Sequence, residues 1–320
     1  MSNTVSTQSE QAVASSSGAS QRRAPSVTHI TVCICTYRRP DLLARLLGEL
    51  ERQQTEDRFT FSVVVCDNDR TSSAREVALA FAERTNIPLT YDTQPEKNIA
   101  LTRNRALTHA TGDYVAFIDD DEFPAPQWLS ALLATCSKFG ASGVLGPVRP
   151  HFDTPPPAWV IKGRFCERHE PATGTIMPWN RSRTGNLLFR REIIDGLSQP
   201  FDPAFGTGGE DVDFFRRMSA KGCRFVWCNE AVAHESVPPA RWTRGYMLRR
   251  ALLRGRNNLK LRGGRARMLG VSCVAVPLYS LILPVTLPFG QHVFMKYCIR
   301  LCDHLGRLLS VVGLNPVSER

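Results

Sequence analysis

Short apolar runs alternate with amphipathic segments through the first half of the chain. The first run, Thr28 to Thr36, is almost continuously apolar, and in the segment that follows it, Asp41 to Leu50, leucines recur every three or four positions. A continuous apolar run of this length is typical of a strand buried on both faces, and the leucine spacing predicts a helix with one apolar face. The folded part of the chain is therefore expected to begin with a strand and a helix.

The same alternation continues along the chain. We predict further strands at 59–66, 87–91, 114–118 and 143–148, and helices at 73–84, 98–110 and 126–139. Strands that alternate with helices predict an α/β fold with a mostly parallel, Rossmann-like central sheet and ligands at the carboxyl ends of its strands. After Pro150, a long connection rich in Pro, Gly and Arg precedes further predicted elements at 184–190, 210–221 and 224–228.

Positive charge is concentrated in one segment near the C-terminus. The net charge is +10, and the segment from Arg241 to Arg267 contains ten Lys or Arg and no acid. Elsewhere acids and bases are balanced, so this segment carries the whole excess. Such a block attracts phosphate groups of a substrate, of a lipid headgroup or of a nucleic acid. A solvated basic helix is the alternative interpretation.

An apolar segment follows the basic one. The segment from Met268 to Gln291 has no Lys, Arg, Asp or Glu. It is long enough to cross a hydrocarbon core of roughly 30 Å, although Pro277, Pro284 and Pro288 interrupt it. A membrane span, a kinked or re-entrant membrane segment and a hydrophobic packing arm all remain open. The adjacent basic segment favours the cytoplasmic face of a bacterial inner membrane.

Composition completes the domain prediction. The first 26 residues are rich in Ser, Gln and Ala without any helical or strand period, which predicts a disordered tail. The ten cysteines include no Cys-x-x-Cys pair, and we expect free thiols in a reducing cytoplasm. The predicted organisation is a tail at 1–26, an α/β domain at 27–240, a basic helical segment at 241–267 and a membrane-associated hydrophobic region at 268–320.

Acidic residues mark the end of the fourth predicted strand. Asp119, Asp120, Asp121 and Glu122 follow one another there, and carboxylates this close repel one another unless a cation lies among them. Alternate residues of an extended segment share a face, so Asp119 and Asp121 are expected to converge. An acidic turn is the alternative. Polar residues also end the first two strands, so that three polar clusters meet at one edge of the sheet.

Five segments in this order resemble the family 2 glycosyltransferases with the GT-A fold, especially bacterial exopolysaccharide sugar transferases. They are VCICTYRRP at 32–40, VVVCDND at 63–69, NIALTRNRAL at 98–107, GDYVAFIDDDE at 112–122 and TGGEDVDFFRRM at 207–218. The resemblance implies an inverting, metal-dependent transfer of a hexose from a nucleotide diphosphate sugar, UDP-glucose or a related donor. The implied acceptor is a lipid-linked saccharide in bacterial polysaccharide synthesis.

The resemblance also implies roles for individual residues. Those expected to contact the nucleotide sugar are Thr36, Tyr37, Arg38, Asp67, Asn68, Arg103, Asn104, Asp119 and Asp120. Mg²⁺ or Mn²⁺ is expected on Asp119 and Asp121, where it would neutralise the leaving diphosphate. Asp211 is the implied general base, with Glu210 as its neighbour or alternative, although acids are also common at helix starts for electrostatic reasons.

Three further groups of residues are candidates from their position. His234 is a candidate metal ligand or phosphate contact, with a structural histidine as the alternative. Arg250 and Arg254, about one helical turn apart, are candidates for clamping the diphosphate of the donor or the phosphates of the acceptor. Trp159, Trp179 and Trp242 are candidates for stacking on sugar rings, with core packing as the alternative.

Two other functions fit parts of the sequence. A metal-dependent nucleotidyl or phosphoryl transferase would use a similar acid cluster, but neither GxxxxGK nor GxGxxG occurs near the first strand. A basic protein that binds a membrane surface or nucleic acid would explain residues 241–267. It leaves both acid clusters unexplained, and because acids repel a polyanion we expect no nucleic-acid partner.

Overall fold

The structure, a computed structural model, describes residues 27–206, 208–261 and 265–314. The tail predicted at 1–26 lies outside these residues. Thr207 of the motif at 207–218, residues 262–264 of the basic segment and residues 315–320 lie outside them as well.

The strands agree closely with the predicted alternation. They are β1 (Thr28–Thr36), β2 (Phe59–Asp67), β3 (Leu89–Thr93), β4 (Tyr114–Asp119), β5 (Glu122–Pro124), β6 (Gly143–Leu145), β7 (Val148–His151), β8 (Asn186–Arg190), β9 (Phe225–Trp227) and β10 (Ala233–Ser236). In the described part of the chain, seven of them form a sheet in the order β3-β2-β1-β4-β8-β6-β9. Only β8 runs against its neighbours there. The predicted mostly parallel α/β sheet is therefore confirmed.

Helices follow most of the strands. They are α1 (Pro40–Glu51), α2 (Arg75–Arg84), α3 (Ile99–Thr108), α4 (Trp128–Phe139), α5 (Ala158–Gly163), α6 (Glu210–Ala220), α7 (Arg244–Leu261), α8 (Arg265–Thr286) and α9 (Gln291–Val311). Asn98 caps α3, because its side-chain oxygen accepts hydrogen bonds from the backbone N–H groups of Ala100 and Leu101. Gly140, with φ of 54°, ends α4 in the left-handed conformation that glycine adopts most easily.

Side chains of the central strands alternate between two apolar layers. Ile30, Val32 and Ile34 of β1 pack in one core cluster with leucines of α1 and with Trp128 of α4. Cys33 packs in the opposite cluster with residues of α3 and α6. Because helices cover both faces, polar side chains reach solvent only at the ends of the strands. The fold thus restricts chemistry to the sheet edge.

A second, small sheet lies beyond the end of β4. Its three strands have the order β5-β10-β7. The strand predicted at 143–148 is in fact two strands, β6 in the central sheet and β7 in the small one. Asn186 joins the two regions, because its buried amide donates to the carbonyl oxygens of Pro147 and Ala231 and accepts from Trp128 Nε1.

The C-terminal helices form a layered unit in which backbones come very close. A Cβ added at Gly255 of α7 would lie 2.1 Å from the carbonyl oxygen of Asp303, and one at Gly306 of α9 would lie 2.1 Å from that of Leu252. Arg254 adds a two-bond ion pair with Asp303, at 2.6 and 2.8 Å. Glycine at both positions is therefore required for α7 and α9 to pack.

The apolar segment forms α8, which continues through Pro277 and Pro284. It turns into α9 at residues 287–289 and packs against that helix: Ser272 bonds His304 at 3.0 Å, and the ring of Tyr279 contacts that of Tyr297 at 5.9 Å. The two helices therefore run antiparallel. All ten cysteines are free, as expected.

Candidate functional site

The ends of β1 and β4 are joined by a charged network. The Thr36 hydroxyl donates to Asp120 at 2.9 Å, and Arg39 donates to Asp120 at 2.9 Å and to Asp121 at 3.2 Å. Arg241 donates to Asp121 at 2.8 Å and to Glu235 of β10 at 2.6 Å. Two arginines therefore neutralise Asp121, and Asp120 is bonded to the end of the neighbouring strand.

Arg103 connects the two acidic regions that the sequence predicts. Its side chain is buried, donates to Glu210 and lies 3.6 Å from Asp119. Burial disfavours the positive charge of Arg103, but the attraction of Glu210, and after it that of Asp119, outweighs the effect of burial. The pKa of Arg103 is therefore raised. The acids at the end of β4 and at the start of α6 therefore contact one guanidinium, and they face the same space.

Glu122 is a buried acid for which the sequence analysis gave no separate role. Its Oε2 has no hydrogen-bond partner in the described part of the chain, and burial, with a contribution from Asp119, raises its pKa well above the usual value. A Cβ added at Gly185 would lie 2.7 Å from Glu122 Oε1 and 2.9 Å from Asp119 Oδ2. Carboxylate oxygens of both residues thus converge beside a glycine that leaves them room.

Asp119 is the acid of this pair that reaches solvent, with 48% of its side chain exposed. Partial withdrawal from water still raises its pKa to about 6; Arg103 opposes this rise, and Asp121 and Asp120 add to it. A carboxylate that is costly to ionise beside a second acid favours a cation as partner.

Two glycines deliver Glu210 and Asp211 to the first turn of α6. Gly208 and Gly209 have φ of 122° and 102°, a conformation that other residues rarely adopt. Glu210 is buried, and burial raises its pKa although Arg103 opposes the rise and Asp211 adds to it. Asp211 is partly exposed, and its Oδ2 lies 3.7 Å from Arg183, beyond hydrogen-bond distance.

Tyr37 and Arg38 lie at the exposed edge of the site. The cationic groups of Arg38 and Lys97 lie 5.2 and 4.9 Å from the centre of the Tyr37 ring. Arg38 has φ of 54° and approaches Asp69 at 3.3 Å. Two cations close to an aromatic ring suit a nucleotide, whose base stacks and whose phosphates are anionic.

Three residues predicted to contact the nucleotide also hydrogen-bond the protein itself. Asp67 is fully buried and accepts from the N–H groups of Asp69 and Ala74 and from the Tyr91 hydroxyl. Asn68 donates to the carbonyl oxygens of residues 94 and 96. Asn104 donates to the Phe201 carbonyl and accepts from its N–H. These side chains thus shape the loops around the site, and their direct contact with a nucleotide stays a prediction.

The structure does not bring His234 to the acids predicted to share a metal with it. His234 stacks on Phe123, with ring centres 5.3 Å apart, on the strand face opposite to that of Glu235. Burial, with contributions from His151, Arg149 and Arg45, lowers its pKa. His234 thus lies on an aromatic and cationic face of β10, and its metal role stays a prediction.

The predicted clamp of Arg250 and Arg254 on phosphate groups stays a prediction. Arg254 pairs with Asp303 of α9, and Arg250 is exposed on α7. No hydrogen bond or ion pair of the described residues joins either arginine to the acids. The arginines that reach these acids are Arg39 and Arg241. Trp179 packs against the core layer of α3 and α6, which favours its packing role.

Several residues of the site were missed by the sequence analysis. Glu235 alternates with His234 in a strand of four residues, too short to show which side chain faces the acids. Arg39 directly follows the polar residues predicted at the end of β1, and this position in the sequence could have identified it as a residue of the site. Gly185 carried no recognisable signal, because its role depends on two acids distant in sequence.

Comparison with known proteins identifies the family that this chain resembles. A family model described as glycosyl transferase family 2 matches residues 31–196, and one described as glycosyl transferase family group 2 matches residues 114–302. The succinoglycan biosynthesis protein ExoM of Rhizobium meliloti is 36% identical over 244 residues, which cover 74% of this chain and 76% of that protein. The validoxylamine A glucosyltransferase of Streptomyces hygroscopicus subsp. jinggangensis is 35% identical over 60% of this chain and 52% of its own length.

Solved structures share the fold at low identity. A Pyrobaculum calidifontis mannosyltransferase in complex with GDP-Man and Mn²⁺ superposes with a TM-score of 0.54 at 18% identity, covering 92% of this chain and 77% of that one. S. aureus TarS in complex with UDP-GlcNAc gives a TM-score of 0.53 at 14% identity, covering 91% and 94%. These likenesses confirm the predicted GT-A fold.

The Arg103–Glu210 pair should behave as one buried unit. We expect Arg103→Met to lower the free energy of unfolding by about 3–5 kcal/mol, because it leaves Glu210 buried without its partner. Adding Glu210→Gln should recover a large part of that loss, as measured by urea denaturation.

Arg105→Met is the matched control on the same helix. Arg105 is half-exposed and pairs with Asp92 at the surface, so its loss should cost about 1 kcal/mol or less. Additive effects of the Arg103 and Glu210 substitutions would contradict the proposed coupling.

Proposed function

This chain belongs to glycosyltransferase family 2, and from that premise we propose that it transfers a hexose from a nucleotide diphosphate sugar to a lipid-linked saccharide with inversion at the anomeric carbon. The observation that carries the proposal is the contact of Arg103 with both Asp119 and Glu210. Donor-side and acceptor-side acids thereby adjoin one space, as a single displacement requires.

The donor is proposed to lie along the ends of β1 and β4. Tyr37, with Arg38 and Lys97 beside its ring, would hold the nucleotide, and Thr36 and Asp120 fix the turn beneath it. We infer a nucleotide diphosphate hexose as donor class, UDP-glucose or a related compound. The support comes from relatives named as a glucosyltransferase and as a succinoglycan biosynthesis protein.

The residues at the end of β4 fit a hard divalent cation such as Mg²⁺ or Mn²⁺. Such ions take oxygen ligands and are often bound by one or two carboxylates, with substrate phosphates and water completing the shell. The unpartnered oxygen of Glu122 and the convergence of Asp119 and Glu122 beside Gly185 match that requirement. Asp121 is held by Arg39 and Arg241, so Asp119 with Glu122 is the proposed pair. The bound ion would supply charge neutralisation for the leaving diphosphate.

Asp211 is the proposed general base. It is partly exposed and only loosely paired with Arg183, whereas Glu210 is buried against Arg103. Asp211 would take the proton of the acceptor hydroxyl as that oxygen forms a bond to the anomeric carbon. The bond from this carbon to the diphosphate breaks, and its electron pair leaves with the nucleotide. Attack from the side opposite the leaving group inverts the configuration.

The C-terminal helices are proposed to hold the enzyme at the cytoplasmic face of a bacterial inner membrane. One described helical stretch, Arg265–Phe289, is long and apolar enough to cross a bilayer, and only 6% of its most apolar window is buried. Its exposed apolar residues recur every three or four positions along α8: Val271, Val274, Leu278, Leu281 and Val285. This spacing places them on one face of the helix, which a lipid surface would cover.

The packing of α9 on α8 favours a helix that lies in the membrane plane. In the stretch that runs alongside α8, α9 carries Lys296, Arg300, Asp303 and His304, and His304 contacts Ser272 and Tyr279 of α8. If α8 crossed the bilayer, it would draw these side chains into hydrocarbon, at a cost of about 2.5–3.5 kcal/mol for each Lys, Arg or Asp at its centre. An in-plane α8 keeps them at the polar surface.

Sugar transfer is tested directly with purified protein and a panel of UDP-, GDP- and dTDP-sugars, in the presence of Mn²⁺ or EDTA and a lipid-linked acceptor. We expect one nucleoside diphosphate to be released in the presence of metal. Asp211→Asn should lower the transfer rate by about 10²–10⁴-fold and leave donor binding within about twofold.

Asp195→Asn is the control for that substitution, because Asp195 is exposed and pairs with Arg191 away from the site. Folded protein that releases no nucleotide with any donor would count against the proposed activity. Full activity of Asp211→Asn would reject the assigned base.

The metal pair is tested at Gly185. An added methyl group displaces Glu122 or Asp119, so Gly185→Ala should weaken Mn²⁺ binding by about tenfold, measured by electron paramagnetic resonance titration. Gly48→Ala is the control, since a Cβ there meets no atom within 4 Å. Unchanged Mn²⁺ affinity in folded Gly185→Ala would exclude this pair.

Membrane binding is tested at Leu281, which is 76% exposed on α8. Leu281→Glu should reduce cosedimentation with vesicles of phosphatidylcholine and phosphatidylglycerol by about tenfold or more. Leu79→Glu, at an exposed leucine of α2, is the control and should have little effect. Alkaline carbonate should extract the wild-type protein from membranes, and retention would indicate that α8 crosses.

A further inference from the structure

A cavity of about 340 Å³ lies where the catalytic domain meets the C-terminal helices. Its walls come from three parts of the chain: Trp159 near the start of α5, Trp242 and Arg244 at the start of α7, and Gln291 at the start of α9, together with Thr243 and two prolines. The catalytic steps described above do not use this cavity.

Aromatic rings form two of its walls, and both are held in place. Trp242 contacts Phe152 edge-on, with ring centres 5.7 Å apart, and Trp159 contacts Phe165 at 5.4 Å. The indole N–H of Trp242 is buried and has no hydrogen-bond partner in the part of the chain that the structure describes. A fixed aromatic surface with an unused donor suits a sugar, which offers C–H faces and hydroxyl acceptors.

Arg244 places a positive charge at the same cavity. With its amide oxygen turned toward Arg244, Gln291 accepts from Nη2 at 2.7 Å and from Nε at 2.9 Å, and it also accepts from Trp159 Nε1 at 3.2 Å. This orients the guanidinium, which has five N–H donors and keeps several of them for a ligand. An oriented guanidinium is well suited to phosphate oxygens.

The cavity lies between the acid site and the apolar surface. Trp242 directly follows Arg241 in the chain, and Arg241 donates to Asp121 at 2.8 Å, so the segment that forms this wall also reaches the acids. Gln291 follows the turn in which Leu287 and Phe289 are 58% and 68% exposed. A single ligand that contains a sugar, a phosphate and a lipid chain would meet matching chemistry in that order.

We propose that this cavity binds the phosphate-linked saccharide head of the lipid-linked acceptor, an inference that rests on the proposed function. Trp159 and Trp242 contact the sugar ring next to the lipid, with the Trp242 N–H donating to a ring substituent. Arg244 binds the phosphate, and the lipid chain leaves over Leu287 and Phe289 toward the membrane.

The test is direct binding in detergent solution, with the full chain and three probes: farnesyl-diphospho-glucose, farnesyl diphosphate and methyl glucoside. Arg244→Ala should weaken the binding of both diphosphate probes by about tenfold. Trp242→Phe keeps an aromatic ring and removes the N–H. It should therefore weaken the binding of farnesyl-diphospho-glucose by about fivefold and leave that of farnesyl diphosphate unchanged.

Arg267→Ala is the control for loss of positive charge, because Arg267 is exposed at the start of α8. This substitution should change the affinity for neither farnesyl probe by more than about twofold. Binding of UDP-glucose with Mn²⁺ is measured on the same variants and should be unchanged, which also shows that the variants are folded.

The inference is overturned if the wild type binds neither farnesyl probe, or if Arg244→Ala and Trp242→Phe leave both affinities unchanged. If either result is found while nucleotide is still released in the donor panel, the acceptor site in this cavity is rejected and the proposed sugar transfer stands. Loss of donor binding and transfer in the wild type would instead reject the proposed function.

Discussion

The buried guanidinium of Arg103 determines how the two acidic regions of this glycosyltransferase face each other. Without a cation between them, the half-exposed Asp119 and the buried Glu210 would be neighbouring like charges. The helix that carries Arg103 also fixes the chain leading to Glu210, because Asn98 donates to the Pro203 carbonyl and Asn104 bonds the backbone of Phe201. This helix and its cap thus set both the charge balance and the position of the start of α6.

The large elements of the fold could be predicted from sequence because their signals are local. β1 to β4 are apolar runs that alternate with amphipathic helices, and each was placed within a few residues. The small sheet was not predictable, because β5, β7 and β10 have only three or four residues and no period develops over that length. Residues 143–148 divide into two strands at Gly146 and Pro147, and both of these residues bond Asn186, which lies far away in sequence.

Sequence also located the polar residues at the correct sheet edge, but it did not identify their partners. Asp67, Asn68 and Asn104 are expected to contact a ligand, and the structure adds that each also bonds N–H or carbonyl groups of the surrounding loops. His234 and Glu235 are adjacent, and only their pairing in β10 shows that Glu235 faces the arginines. Which arginine meets which acid is decided by the packing of distant segments, and that information is absent from any single motif.

The two glycines where α7 and α9 touch have a consequence for how such an enzyme can diversify. Backbone contact at Gly255 and Gly306 fixes the spacing of these helices, so their outward-facing side chains do not determine it. Mutations on the outer surfaces can then accumulate without disturbing the packing of α7 against α9. Such separation of scaffold from surface is a structural basis for evolvability.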